Sequence, residues 1–189
     1  MRSDATLAFV PIGGPGLSLV AGAGVAIPST VLDLLGVGVG VAPPSIIGTQ
    51  SLLFGTDFGV GRYVPHIAIF LSPTPIITTA TAASLNCQLQ MAPDLGTPTY
   101  QPGAWQTIAE TGPMTLAQLV AAQAGAKQQP IRMDFVPNFP AGLNPRYARL
   151  NFATAAGTSF TAGSIASAII TPVRDDLSNK FAQRNYSVA

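Results

Sequence analysis

Between Leu85 and Met91 apolar and polar side chains alternate without a break. Leu85, Cys87, Leu89 and Met91 fall on one face of an extended chain, and Asn86, Gln88 and Gln90 fall on the other. This pattern predicts a strand that buries one side and shows an uncharged polar side to solvent or to a partner, with Cys87 as a small core residue. Related stretches, most of them bounded by Pro or Gly, predict strands over His66–Leu71, Trp105–Glu110, Ile131–Val136, Tyr147–Thr154 and Ser164–Thr171. One segment, Thr115–Ala124, reads as a helix: Leu116, Leu119 and Val120 are at helical spacing, Thr115 is placed to cap it and Gly125 follows it. Several short strands with turn signals between them and a single short helix predict an all-β fold. A jelly-roll-like β-sandwich fits better than a parallel α/β sheet.

The first third of the chain lacks this clarity. Gly36-Val37-Gly38-Val39-Gly40-Val41, followed by Pro43-Pro44, reads as extended chain or loop, since repeated Gly costs a helix too much backbone entropy. It reads either as an arm that becomes ordered against a neighbour or as a strand pair in the core. The chain therefore divides into a Gly/Pro-rich segment over 1–56, part of or an arm on a single domain, a β-sandwich over 57–171 and a polar tail over 172–189.

Composition changes the picture from fold to assembly. Of the 189 residues 48% are hydrophobic but only 9% are charged, against about 25% charged in an ordinary soluble domain. A surface so poor in ions suits a subunit that stays covered, because burying uncharged groups avoids the cost of desolvating ions. From Ala5 to Thr56 the sole charged side chain is Asp33, whereas nine of the seventeen charges lie from Arg132 onward. A net charge of +1 with scattered basic residues argues against nucleic-acid binding. The one cysteine excludes an intrachain disulfide and points to folding in a reducing cytoplasm. Pro11, Gly13, Gly14, Pro15 and Gly16 interrupt the early apolar stretch, which is a poor signal peptide and no membrane helix.

Candidate chemistry is sparse. His66 is the sole histidine and follows Pro65 in an apolar strand, which reads as a packed or partly solvated strand residue rather than a general base. One His and one Cys cannot supply a usual zinc site. Asp175 and Asp176 read as a solvated acidic pair, or one paired with Arg174 or Lys180, rather than a cation site. The glycine clusters complete neither GxGxxG nor a phosphate loop. Trp105, with Tyr100 nearby, reads as a core aromatic before a stacking platform. Catalytic residues, cofactors and metals are therefore not expected. The polar residues with most to offer a partner are Arg146 and Arg149 on the Tyr147 strand, then Arg174, Asp175, Asp176, Lys180, Phe181, Arg184 and Tyr186 in the tail. The tail reads either as disorder or as a docking arm that inserts Phe181 or Tyr186 into a neighbour.

Three runs carry a family resemblance: Pro130-Ile131-Arg132-Met133, Gly142-Leu143-Asn144-Pro145-Arg146-Tyr147-Ala148-Arg149-Leu150-Asn151-Phe152, and Phe160-Thr161-Ala162-Gly163-Ser164-Ile165. Together they resemble the closing strands of the jelly-roll capsid cement (decoration) proteins of tailed bacteriophages, in which a RYLRLNY strand leads to a GTFTAG turn and a last apolar strand. Upstream, Gly59-Val60-Gly61-Arg62, Ala83 to Gln90 and Asp33-Leu34-Leu35-Gly36 fit the same pattern. The resemblance spans residues 57–171, while Ala5–Thr56 and Ala121–Gln129 depart from it.

It implies a non-enzymatic virion protein that binds the outer capsid surface, bridges major capsid protein subunits and stabilises the shell, acting as a homodimer or higher oligomer. The charge balance and the interrupted apolar stretch, for their part, leave no nucleic-acid or membrane partner expected. A tail or head-completion protein is the alternative within the same kind of particle. An enzyme or a carbohydrate-binding module would instead require a deep pocket around Trp105 or His66.

Overall fold

The computed structural model describes residues 8–21, 24–34, 65–73, 77–78, 83–95, 101–123, 130–134 and 145–172. In chain order the elements are β1 (Ala8–Val10), β2 (Leu17–Ser18), β3 (Ile27–Pro28), β4 (Leu32–Asp33), β5 (Pro65–Leu71), β6 (Ile77–Thr78), β7 (Ser84–Pro93), β8 (Gln106–Glu110) and β9 (Met114–Thr115). Then come α1 (Leu116–Gln123), β10 (Ile131–Asp134), β11 (Pro145–Thr154), β12 (Phe160–Ala162) and β13 (Ser164–Pro172).

The strands form an all-β sandwich of two antiparallel sheets. The first runs β1-β13-β5-β10, with β2 also on β13. The second runs β3-β11-β7-β8, with β4 also on β11 and β9 also on β7. A small third ladder joins β6 to β12. Pairing β7 with β11 sets Leu150 opposite Leu89 and Phe152 opposite Cys87, so the inward rows of both strands coincide. Leu85, Cys87, Leu89, Met91, Leu150 and Phe152 are fully enclosed. They share one core cluster with Phe9, Ile67, Ile69 and Ile165 of the first sheet. Each such side chain contributes about 1.5–3 kcal/mol of hydrophobic stabilisation, and together they fix the register, because a slip by one residue would turn the polar row inward.

The described part of the amino-terminal segment belongs to this sandwich. Phe9 is fully buried in the core, and Thr30 donates from its backbone nitrogen to the Phe9 carbonyl at 3.2 Å, tying β1 to the β3–β4 turn. Residues 8–21 and 24–34 thus build one side of the molecule, spanning an edge of each sheet. The Gly36–Val41 run lies outside the described residues, as do residues 135 and 136 of the expected Ile131–Val136 strand. The helix forms where its spacing predicts, and Thr115 caps it reciprocally. Its Oγ1 accepts from the Gln118 backbone at 3.4 Å while Gln118 Oε1 accepts from the Thr115 backbone at 2.8 Å. Leu119 is its fully buried residue.

On the far side of the sandwich β8 is irregular. Leu89 pairs with Ala109 and Gln90 with Thr107, leaving Ile108 as an extra residue, a β-bulge. Ile108 and Ala109 both pack against the core. Thr107 and Glu110, three positions apart, therefore both lie beside outward residues of β7, Gln90 and Gln88. A regular strand would send them to opposite faces.

Candidate functional site

The outward face of the second sheet is a ladder of polar side chains joined across strands, with uncharged Asn86, Gln88, Gln90 and Asn151 between Arg149 and Glu110. On one rung Arg149 donates from Nε to Gln90 Oε1 at 2.9 Å, and Gln90 donates from Nε2 to Thr107 Oγ1 at 3.4 Å. On the next, Asn151 donates to Gln88 Oε1 at 2.9 Å, and Gln88 donates to Glu110 Oε2 at 3.4 Å. Asn86 donates to the same Glu110 oxygen at 2.9 Å. A carboxylate has about four lone-pair sites, so Glu110 retains acceptor capacity after these two amides.

Trp105 stands at the entry to β8 and is half-buried, not a core residue. The Arg149 guanidinium lies 4.1 Å from its ring centroid, a cation–π contact between β11 and the entry to β8. Partial burial lowers the Arg149 pKa from its ordinary value, because desolvation disfavours the charged form. Arg146 occupies a different setting. It reaches Asp33 Oδ2 from Nη2 at 2.9 Å and Asp94 Oδ2 from Nη1 at 2.5 Å, with 17% of its side chain exposed. Hydrogen bonding to Asp33, followed by that to Asp94, raises its pKa against the opposing effect of desolvation. Arg146 thus ties β4 and the segment after β7 to β11. The other expected partner-facing residues, Arg174, Asp175, Asp176, Lys180, Phe181, Arg184 and Tyr186, lie outside the described residues.

Two open depressions flank β8 and share Ala109 and Glu110. One, of about 400 Å³, is lined by Gln88, Thr107, Ile108, Ala109 and Glu110. The other, of about 430 Å³, adds His66, Thr111, Arg132, Met133 and Asp134. His66 Nδ1 lies 2.8 Å from Asp134 Oδ1 across the β5–β10 pair, which aligns these two residues directly. Thr111, which lines the same depression, donates to the Gly112 carbonyl at 3.0 Å and accepts from the Cys87 backbone at 3.1 Å. It is thus held as a turn lock. Among the described residues no group of three or more His, Cys, Asp or Glu side chains is placed to hold a metal ion.

Sequence reasoning found Arg149 and the polar row of β7 but missed the part played by Thr107 and Glu110. Their signal was the adjacent apolar pair Ile108-Ala109 inside an otherwise polar strand, which breaks the alternation where the bulge forms. The chain matches no protein-family model, no curated protein and no solved structure.

Proposed function

We propose that the chain is a structural subunit of a tailed-phage particle, a cement protein that binds the outer capsid surface and bridges major capsid protein subunits. In this reading it is a jelly roll, acts as a homodimer or higher oligomer on the virion, and performs no catalysis. The carrying observation is where exposed apolar surface lies. Among the described residues four of the six exposed large apolar side chains, Ile12, Val20, Val25 and Val31, between 44% and 58% exposed, belong to the stretch 8–34, while Leu95 and Val120 lie elsewhere. The one charge in that stretch, Asp33, is held by Arg146. A side that is apolar and free of unpaired charge gains from being covered and loses little in desolvation.

Strand order supports the jelly-roll reading. The chain passes from β1 to β3 and β4, back to β5, over to β7 and β8, back to β10, over to β11 and back to β13, alternating between two sheets of antiparallel strands. Eight principal strands wound in this way correspond to two Greek keys. The resemblance of Gly142–Phe152 and Phe160–Ile165 to cement-protein strands supports the partner, and many symmetric copies convert modest contacts into firm attachment.

Purified chain mixed with undecorated capsids is expected to co-sediment saturably. A Val25→Asp, Val31→Asp variant is expected to lose that binding while keeping its unfolding midpoint. No co-sedimentation of the unaltered chain, with a monomer at every concentration, overturns the proposal. Copy number in the virion separates a cement protein, present in many copies, from a head-completion protein present as one ring.

A further inference from the structure

We propose that β10 is the seam of a two-fold homodimer, in which the β10 strands of two copies pair antiparallel and join their first sheets into one. An edge strand presents a row of backbone N–H and C=O groups to any chain that can lie beside it, and folds blunt such edges with short or bulged strands. Among the described residues the two main sheets have four edges, and three of them are blunted. β1 and β2, with three and two residues, share one edge of the first sheet. β3 and β4, with two each, share one edge of the second, and β8 on its other edge is bulged. The fourth edge, β10, differs: its four residues pair one for one with β5, from Ile131 opposite Ile69 to Asp134 opposite His66, with no shift in register. Among the described residues no strand pairs with its far side. Asp134 has 73% of its side chain exposed and Arg132 is exposed too. An open depression of about 430 Å³ lined by Arg132, Met133 and Asp134 leaves room alongside.

The side chains on this edge select a second copy of the chain. Ile131 and Met133 turn into the core, while Arg132 and Asp134, two positions apart, share the outer face. When two such strands run antiparallel about a two-fold axis at Met133, Arg132 of each lies directly opposite the partner's Asp134. Cross-strand neighbours of opposite charge attract and like charges repel, so this one register gives two favourable contacts. A shift by two residues either way sets Arg132 on Arg132 or Asp134 on Asp134, and a shift by one moves each side chain to the wrong face. Asp134 meets His66 through one oxygen at 2.8 Å, which leaves the other for the partner's Arg132. A guanidinium, with five N–H donors, serves more than one acceptor. The contact is isologous and closes on itself, so joining stops at two copies. The inference rests on the oligomeric reading above and names its interface.

The full chain is followed by sedimentation velocity over a concentration series, and a monomer–dimer equilibrium is expected. Arg132→Asp and Asp134→Arg each place like charges in both contacts and are expected to weaken dimerisation about tenfold or more. Mixed in equal amounts, the two variants are expected to pair with each other, since two acids then face two bases. The double variant, Arg132→Asp with Asp134→Arg, is expected to dimerise as the unaltered chain does. Backbone amide exchange over residues 131–134 of the unaltered chain, a readout that needs no variant, is expected to slow as concentration rises. A monomer at every concentration overturns the inference. So does a folded Arg132→Asp variant that dimerises undiminished, a mixture of folded variants that stays monomeric, or exchange at 131–134 that is indifferent to concentration. Capsid co-sedimentation is scored separately: a monomer that co-sediments overturns the seam and leaves the capsid reading standing. A dimer that shows the variant pattern but does not co-sediment bears out the seam without the capsid.

Discussion

Arg146 on β11 and Asp33 on β4, 113 positions apart in the chain, meet in a forked contact, with Nε 3.1 Å from Oδ1 and Nη2 2.9 Å from Oδ2. The third arm of the guanidinium takes Asp94. Only a planar fork satisfies two carboxylates in this way. Arg146→Ala removes the cation that both acids share in a half-buried setting and is expected to cost about 2–4 kcal/mol, read as a lowered urea midpoint. Arg146→Lys is expected to recover less than half of that loss. Equal stability of all three proteins would remove the clasp from any account of the fold.

Burial pushes the Cys87 thiol up to about 12, against a smaller opposing effect of its bond with Thr111. In the unfolded chain the thiol ionises near 9, the ordinary value. Between these two values the unfolded state releases a proton that the folded state keeps, so this contribution to stability is full below about pH 9 and declines as pH rises towards 12. At pH 8 the native protein is expected to resist a thiol-reactive dye that labels it at once in denaturant. Rapid labelling in native buffer would contradict the enclosed placement of Cys87.

Gly16 adopts φ +74°, and a Cβ there would stand 2.8 Å from the Ile165 carbonyl oxygen where the chain enters β2 against β13. Gly13 adopts a similar φ, +78°, with nothing within 4 Å. Both Gly→Ala changes incur left-handed backbone strain of about 1 kcal/mol. Gly16→Ala also drives a methyl into the partner backbone. It is therefore expected to destabilise by about 2–3 kcal/mol and Gly13→Ala by about 1 kcal/mol, a difference resolved by paired thermal melts.

The long strands were legible because each carries enough residues for a period to show. Leu85–Met91 alternates over seven positions and forms the centre of β7, whose ends at Ser84 and Pro93 extend a little further. By contrast β2, β3, β4, β6 and β9 have two residues each, too few for any pattern, and their pairing is decided by the long strands they lie against. The candidate site was half visible. The polar row of β7 and Arg149 follow from alternation. The partnership of Arg146 with Asp33 is a contact between distant positions that no local pattern encodes. Trp105 reads as core from its residue type, yet the guanidinium of Arg149 gives it a partner on the outer face.

The kink at Ile108 also bears on how such molecules behave in a crowd. A flat, ion-poor outermost strand is a template on which identical chains stack into fibres. With one residue out of step, β8 offers no straight row of amides for a second copy to zip onto. A second copy of the chain therefore finds no regular edge on β8 to extend, and the strand is protected against sheet-to-sheet polymerisation.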